Sequence, residues 1–324
     1  MPDVPLLEVR DLVKHFTARP GRGRVTVAAV DGVAFALRHG ETLGLVGESG
    51  SGKSTIGRLV TRLLRPDRGE ILLAGRDVAT LSVRAMRPYR RDVQLVFQDP
   101  YSSLNPRHTV GDILGMALRV HDTVPKAQVA SRIRELLGQV GLEPAHAGRY
   151  PHEFSGGQRQ RIGIARALAV QPRLIVADEP VSALDVSIQA QVMNLLEDLR
   201  ADLGLAFLFI SHDLAVVRHF CDRVAVLYRG RIVEIGGRDQ IYADPRHPYT
   251  QTLLAAVPDI AWLRGGGARR SRAAASAAPA AELGTQHSGC RFRARCPVAA
   301  PACAESEPAL TVRADGHLAA CHVR

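Results

Sequence analysis

The segment Gly47-Glu-Ser-Gly-Ser-Gly-Lys-Ser-Thr55 decides the fold. It matches the pattern Gly-x-x-x-x-Gly-Lys-Ser/Thr, whose glycines let backbone N–H groups surround phosphate oxygens. The brief apolar run Thr42–Val46 precedes it, and helical spacing over Ser54–Leu64 follows it. The helix would offer its positive N-terminal end to the same anion. This order of strand, loop and helix predicts an α/β phosphate-binding fold. The alternative interpretation, a flexible glycine turn, would need neither the strand, nor the helix, nor the Lys53-Ser54 pair.

Individual residues of this loop have different predicted roles. Lys53 supplies a point charge to the β- and γ-phosphates of a nucleotide, and the hydroxyl of Ser54 is a ligand for Mg²⁺. The predicted nucleotide-binding residues of the loop are Gly47, Glu48, Ser49, Gly50, Ser51, Gly52, Lys53, Ser54 and Thr55.

A second acidic element follows the apolar run Leu174–Ala177, which has the continuous hydrophobicity of a central parallel strand. Asp178 stands where it would coordinate the Mg²⁺ shell, and Glu179 where it would polarise an attacking water as general base. Two acids after a buried strand are common, so this pair gains its meaning from the phosphate loop. Together they predict nucleoside triphosphate hydrolysis.

The segment Phe154-Ser-Gly-Gly-Gln-Arg-Gln-Arg161 resembles the signature sequence of the ATP-binding-cassette (ABC) ATPases, with Phe154 where the family usually has Leu. The rest of the family pattern follows in matching order over about residues 6 to 260. The resemblance implies that Gln98 and His212 act beside Glu179 in catalysis and that Gln98 also serves the metal. It further implies that Phe16 stacks on adenine and that Ser182–Asp185 is a dimer-contact loop. By the same resemblance, the nucleotide of a second subunit is bound by Ser155, Gly156, Gly157 and Gln158.

The resemblance also implies an architecture and an assembly. The expected fold class is α/β, a P-loop ABC cassette over residues 1–260 with a mixed central sheet, an antiparallel β subdomain and a helical subdomain inserted at about 105–165. Two cassettes stack head to tail, so that each ATP lies between the loop of one subunit and the Ser155–Gln158 turn of the other. Since this chain has one copy of each motif, it needs a second cassette, identical or homologous.

Local patterns agree with that architecture. Short β-branched or alternating runs predict antiparallel strands at Leu6–Val9, Val25–Val30 and Gly32–Leu37. Ala206–Ile210 predicts another central strand, and Ala127–Val140 has an apolar face with helical spacing. The sequence over 223–235 predicts a late hairpin.

Two segments resemble the dipeptide, oligopeptide and nickel uptake branch of the family: Gln98-Asp-Pro-Tyr-Ser-Ser-Leu-Asn-Pro106 and Arg246-His-Pro-Tyr-Thr250. In that branch the first region receives a short helix of the membrane subunits, and Tyr101, Leu104 and Pro106 would provide its exposed apolar surface. The resemblance implies two membrane permease partners and, indirectly, an extracytoplasmic solute-binding protein. Import of di- or oligopeptides is favoured over nickel or another small solute.

The C-terminal residues 286–324 contain Cys290, Cys296, Cys303 and Cys321 after a Gly-, Arg- and Ala-rich linker at 261–285. No Cys-x-x-Cys pair is present, so a zinc ribbon fits poorly. Similar endings occur in the peptide-uptake branch, and four thiolates are the ligand set of a [4Fe–4S] cluster. Zinc bound by cysteine and histidine, and reduced thiols that pack a small extension, remain open as alternatives.

Composition limits the other function classes. Of 324 residues, 46% are hydrophobic and 23% charged, with a net charge of +10, which suits anionic partners without choosing among them. A soluble ABC protein of nucleic acid or ribosomes commonly has two cassettes or a long insertion, neither of which occurs here, so no nucleic acid partner is expected. No apolar run reaches the roughly 18 residues of a membrane span, and no secretion signal is recognisable. The predicted location is peripheral, at the cytoplasmic face of the cell membrane.

Overall fold

The computed structural model of the chain describes residues 4–18, 25–256, 288–313 and 316–323. The strands are β1 (Leu7–Ala18), β2 (Val25–Leu37), β3 (Thr42–Val46), β4 (Arg68–Leu73), β5 (Arg76–Asp77), β6 (Val93–Val96), β7 (Leu174–Asp178), β8 (Ala206–Ser211), β9 (Arg223–Tyr228), β10 (Arg231–Gly237), β11 (Thr311–Val312) and β12 (Leu318–Ala319). The α-helices are α1 (Lys53–Val60), α2 (Tyr89–Asp92), α3 (Pro100–Ser103), α4 (Val110–Val120), α5 (Val129–Gln139), α6 (Gly156–Leu168), α7 (Val186–Leu203), α8 (Leu214–Phe220), α9 (Arg238–Ala243), α10 (Pro248–Ala255) and a short helix at Ala302–Glu305. The 3-10 turns are Lys126–Gln128, Pro144–Gly148, Pro151–Glu153 and Arg293–Arg295.

Two sheets organise the chain. An antiparallel sheet has the order β2-β1-β4-β5, and an eight-stranded mixed sheet has the order β11-β12-β10-β9-β3-β8-β7-β6. Within the larger sheet, β9, β3, β8, β7 and β6 are parallel neighbours. The predicted P-loop cassette with a mixed sheet and helices is confirmed.

The central strands are continuous apolar runs because both of their faces are covered, one by helices and the other by α1 and the antiparallel sheet. Every residue of β3, β7 and β8 is buried. In β7, Ile175 and Ala177 join one apolar core, whereas Leu174 and Val176 join the other. The period-2 alternation of a strand thus divides one apolar run between the two layers.

The antiparallel sheet differs from its prediction. Val25–Val30 and Gly32–Leu37 were expected as separate strands, but β2 continues through Gly32. Its pairing with β1 shifts register between Val9 and Leu12, between Leu12 and Val13, and between Lys14 and His15. Such bulges bend a strand without ending it, which the local sequence does not reveal.

The C-terminal residues add to the same fold. Strand β12 pairs antiparallel with β10, joining Glu234 to Ala319, and β11 pairs with β12. Phe292 is 2% exposed and belongs to the core that also contains Tyr228 and Tyr249. The described part of the predicted C-terminal extension therefore lies against the edge of the central sheet. The linker predicted at 261–285 lies outside the described residues.

Candidate nucleotide site

The carboxyl ends of the parallel strands bring the predicted site residues to one edge of the sheet. The phosphate loop follows β3, Gln98 follows β6, Glu179 follows β7 and His212 follows β8. A cavity of about 470 Å³ opens at this edge. Its lining residues are Ala29, Ser49, Gly50, Gly52, Lys53, Ser54, Thr55, Gln98, Glu179 and His212. This volume is in the range of small-molecule sites.

The glycines at both ends of the loop are required by close backbone approaches. A Cβ on Gly47, which has a φ of 154°, would lie 2.2 Å from the carbonyl oxygen of Leu227 in β9. A Cβ on Gly52, with a φ of 108°, would lie 2.2 Å from the carbonyl oxygen of Ala29 in β2. The loop is thus wedged between two strands, and only glycine fits these positions.

Lys53 lies within the loop at the start of α1. It is 5% exposed, and its Nζ donates to the carbonyl oxygens of Gly47 at 2.7 Å and Glu48 at 2.9 Å. Burial lowers the pKa of Lys53, while the carboxylates of Glu179, Asp178 and Glu48 act in the opposite direction. A phosphate in the cavity would add negative charge beside this ammonium and favour its protonated form.

Ser54 and Asp178 form a pair of oxygen donors suited to a hard cation. The Oγ of Ser54 donates to the Oδ1 of Asp178 at 2.8 Å. Asp178 is 5% exposed, and burial raises its pKa, against a lowering by the Ser54 hydrogen bond. A buried carboxylate that is costly to ionise gains from a bound cation, so this hydroxyl and carboxylate fit Mg²⁺.

Glu179 is held by two predicted catalytic partners. Its Oε2 accepts from the Nε2 of Gln98 at 2.9 Å and lies 3.1 Å from the Nδ1 of His212. The residue has a φ of 47°, in the left-handed region, and its N–H donates to the carbonyl oxygen of Ile210 at 2.9 Å. Backbone strain of this kind is maintained only where the surrounding structure enforces it, and it is common at functional sites.

Other predicted site residues lie outside the cavity lining. Ser155 begins α6 as its N-cap, with its Oγ accepting from the N–H of Gln158 at 3.3 Å, and Gly156 and Gly157 continue the same turn. Phe16 is 42% exposed on β1, as an aromatic platform requires, but it does not line the cavity. These assignments stay predictions.

Asp185 is an N-cap in the structure. Its Oδ1 accepts from the N–H of Ile188 at 3.0 Å and from the Oγ of Ser187 at 2.8 Å. These hydrogen bonds lower the pKa of Asp185. They account for the aspartate locally and leave its expected role at a dimer contact as a prediction.

The proposed docking surface near Gln98 needs one correction. Tyr101 is 64% exposed, with its ring 3.9 Å from the Arg159 guanidinium, and Pro106 is exposed. Leu104, expected at the surface, is 3% exposed and belongs to the apolar core. The sequence of a turn does not show which apolar side chain faces the interior.

Sequence reasoning missed three residues around the loop. Ala29 lines the cavity, and its type carries no sequence signal. Tyr249 accepts from the N–H of Glu48 at 2.9 Å, and Arg295 pairs with the carboxylate of Glu48. The His-Pro-Tyr-Thr segment and the arginines among the cysteines were visible signals, but their place beside the loop was not.

The four C-terminal cysteines are all described, and their geometry does not support the expected metal site. Within the described ranges no group of three or more His, Cys, Asp or Glu side chains is arranged to hold a metal ion. Cys290 and Cys296 are partly buried against the apolar core, and the N–H of Cys290 donates to the carbonyl oxygen of Cys303 at 2.8 Å. Burial also raises the pKa of Cys290. The alternative of reduced thiols that pack the extension fits these contacts better than a [4Fe–4S] cluster or zinc.

None of the helices in the described residues combines the length and the apolar character needed to cross a bilayer.

Residues 30–182 match the ABC transporter family model, and residues 233–303 match the model of the oligopeptide/dipeptide transporter C-terminal region. The oligopeptide transport ATP-binding protein AppF of Bacillus subtilis (strain 168) is 51% identical over 322 residues, covering 98% of this chain and 97% of that protein. The glutathione import ATP-binding protein GsiA of Shigella flexneri is 58% identical over 257 residues, which are 78% of this chain and 41% of that protein.

Solved structures show the same fold. A dimeric ATP-binding cassette in a post-hydrolysis state, bound to ADP and Pi, has a TM-score of 0.63 and 29% identity, covering 72% of this chain and 98% of that chain. The protein cbiO1 of Clostridium perfringens, part of the ABC transporter complex cbiONQ, has a TM-score of 0.64 and 26% identity, covering 81% of this chain and 99% of that chain.

Proposed function

The chain belongs to the ABC transporter family, among the oligopeptide transport ATP-binding subunits, and from this premise we propose that it hydrolyses ATP to energise the import of di- or oligopeptides through partner membrane subunits. The observation that carries the proposal is that Lys53, Ser54 and Glu179 line one cavity, with Asp178 hydrogen-bonded to Ser54 beside it. Their chemistry is that of phosphoryl transfer to water, with a cationic loop, a metal-binding oxygen pair and a carboxylate base.

In the proposed reaction each of these residues has a task. Lys53 binds the β- and γ-phosphates, and the loop amides orient them. Glu179 accepts a proton from the attacking water, while Gln98 and His212 hold its carboxylate in place. Mg²⁺ held by Ser54, Asp178 and Gln98 would offset the charge that develops on the phosphate oxygens.

A second cassette, identical or homologous, would complete the site. The Ser155–Gln158 turn is a helix N-terminus that lies outside this chain's own cavity, and Ser155 at its tip is exposed, so it would be available to the nucleotide of a partner. The dimeric form of a cassette of similar fold, solved with ADP and Pi, supports this arrangement. Phe16 would stack on the adenine, and Ser182–Asp185 would face the second subunit.

Coupling to transport requires membrane partners. We assign residues 1–260 to the cassette, 261–285 to a linker and 286–324 to the extension. The exposed Tyr101 and Pro106 beside Gln98 would receive a short helix from one of the two permease subunits at the cytoplasmic face of the membrane. The solute-binding protein would act only through those permeases. Peptides as cargo are supported by the match of residues 233–303 and by the relatives described above.

Reconstitution tests the proposal. The chain would be placed with its permeases and partner cassette in proteoliposomes, and phosphate release and uptake of labelled peptides would be measured with and without ATP. We expect uptake that needs ATP and stops with Glu179→Gln. ATP hydrolysis without peptide uptake would refute the transport assignment, and the absence of hydrolysis would refute the enzymatic one.

A further inference from the structure

The residue Glu48, within the phosphate loop, is held by two residues that lie about 200 or more positions later in the chain. The phenol oxygen of Tyr249 accepts from the N–H of Glu48 at 2.9 Å. The guanidinium of Arg295 pairs with both carboxylate oxygens, with Nη1 at 3.0 Å from Oε2 and Nη2 at 2.8 Å from Oε1. This bidentate geometry is the strong form of an arginine–carboxylate pair and fixes orientation as well as charge.

Arg295 is held in position by packed aromatic side chains. It lies in the 3-10 turn Arg293–Arg295, and its guanidinium is 5.6 Å from the ring centroid of Phe292 and 6.0 Å from that of Tyr228. Phe292 is buried, and its ring centroid lies 5.4 Å from that of Tyr228 and 5.5 Å from that of Tyr249. Packed aromatic rings of this kind hold the turn in one position against the end of β9.

A second arginine of the same segment binds the strands beside the loop. Arg291 donates to a carboxylate oxygen of Asp31 and, at 2.6 Å, to the carbonyl oxygen of Arg229. The next residue, Gly230, donates its N–H to the carbonyl oxygen of Ser51 in the loop at 2.8 Å. The extension is therefore connected to the loop through the hairpin as well as through Glu48.

The charge of Glu48 is unfavourable for the ligand of this site. Its carboxylate places a negative charge in a loop that must receive a polyphosphate, and it is one of the anions that act on Lys53. Arg295 neutralises that charge and holds it at a fixed place. Without Arg295, the carboxylate would repel the phosphates and compete with them for the ammonium of Lys53.

We propose that Arg295 is a positioning residue for the nucleotide: it acts through Glu48 and makes the ATP affinity of the loop depend on the folded C-terminal extension. This inference rests on the proposed function, because it assumes that the loop binds ATP. Since linkage is reciprocal, bound ATP stabilises the docked extension by the same factor by which the extension tightens ATP.

The chain offers a matched control in the same turn. Arg293 is exposed and donates to the carbonyl oxygen of Ser288 at 3.4 Å, away from the loop. Arg295→Gln and Arg293→Gln each remove one positive charge from the turn, but only Arg295→Gln removes it from Glu48. Binding of ATP, ADP and AMP to the full chain would be measured by calorimetry at low salt, with thermal unfolding as a check of folding.

We expect Arg295→Gln to weaken ATP binding by about three- to tenfold, the range of a partly exposed bidentate pair. The loss should shrink from ATP to ADP to AMP, because it is a repulsion between charges, and it should shrink in high salt. Arg293→Gln should bind ATP as the wild type does. Glu48→Gln in the Arg295→Gln background should recover affinity, since it removes the unpaired carboxylate, and Arg295→Lys should recover part of it.

The outcomes separate the possible failures. A wild type that does not bind ATP refutes the proposed function. A wild type that binds ATP while Arg295→Gln binds equally tightly refutes the role of Arg295, and so does an equal loss for all three nucleotides or for Arg293→Gln. If Arg295→Gln does not fold, Glu48→Gln alone decides: it should tighten ATP binding, because the loop loses a negative charge while the positive charge of Arg295 stays beside it, and weaker binding overturns the inference.

Discussion

Glu179→Gln is the substitution that most directly tests the chemistry. The side chain keeps its length, and its amide oxygen can still accept from the Nε2 of Gln98, which now lies 2.9 Å from the carboxylate. His212 is 57% exposed and can turn its ring to water instead. The glutamine also occupies the same left-handed backbone position, so we expect a small change in folding stability and unchanged ATP binding.

The expected loss lies in proton transfer. A positioned general base contributes about 10²–10⁴-fold, which corresponds to about 3–5 kcal/mol of activation free energy. An amide at the position of Glu179 cannot accept the proton of water. We therefore expect kcat to fall by about two to four orders of magnitude with the ATP dissociation constant within about twofold of the wild type.

The assay combines single-turnover phosphate release, titration with a fluorescent ATP analogue and size-exclusion chromatography with Mg²⁺-ATP. In the proposed assembly the ATP lies between two cassettes and its hydrolysis loosens them, so the variant should accumulate as an ATP-bound dimer while the wild type does not. A kcat within about tenfold of the wild type would reject Glu179 as the base. Slow turnover with lost ATP binding would instead indicate a damaged loop.

Three further predictions concern the loop, the metal pair and the buried histidine. Lys53→Ala removes the ammonium that would meet the β- and γ-phosphates, and should weaken ATP binding by about 10–100-fold, as seen in a titration; unchanged affinity contradicts that contact. Asp178→Asn should abolish most Mg²⁺-dependent hydrolysis, by more than the ~10–100-fold typical for an indirect partner of a metal. Because burial raises the pKa of Asp178, the ionised carboxylate opposes folding above that pKa, so the nucleotide-free variant should melt at a higher temperature near pH 7; a lower melting temperature contradicts this. Burial lowers the pKa of His247 to about 4, whereas an unfolded histidine has a pKa of about 6.5. Between these pH values the unfolded chain binds more protons than the folded chain, so about 3 kcal/mol of folding stability should be lost as the pH falls from about 6.5 to about 4. In His247→Asn the amide oxygen can still accept from the N–H of Tyr249, which lies 3.1 Å from the Nδ1 of His247. The free energy of unfolding of this variant, measured in urea, should lack this pH dependence. If the free energy of unfolding changes equally with pH in both proteins, His247 is not its source.

The central parallel strands were predictable because each of them is buried along its whole length. Strands β3, β7 and β8 are buried on both faces, so they appear in the sequence as unbroken apolar runs of strand length. The carboxyl ends of parallel strands meet at one edge, and the functional residues predicted after them, Gln98, Glu179 and His212, therefore line one cavity.

Elements with mixed surroundings were less predictable. Strand β2 continues past Gly32 because irregular pairing with β1 accommodates it, and Leu104 enters the core from a turn with polar neighbours. Both outcomes depend on partners distant in the sequence. The residues of Ser155–Gln158 are recognisable by type, but a single chain gives them no nucleotide to contact.

The amino-acid sequence by itself determined the phosphate loop, its acidic partners and the positions of the apolar strands β3, β7 and β8, because each depends on residue types at short spacings. Only the tertiary structure placed Tyr249 and Arg295 beside Glu48. Only the tertiary structure, too, showed that the four cysteines of the extension, all within the described residues, are not arranged as a metal-binding group. Contacts between residues about 200 positions apart arise from how β9, β10 and the C-terminal strands pack together. That packing is a property of the whole fold, and no local pattern encodes it.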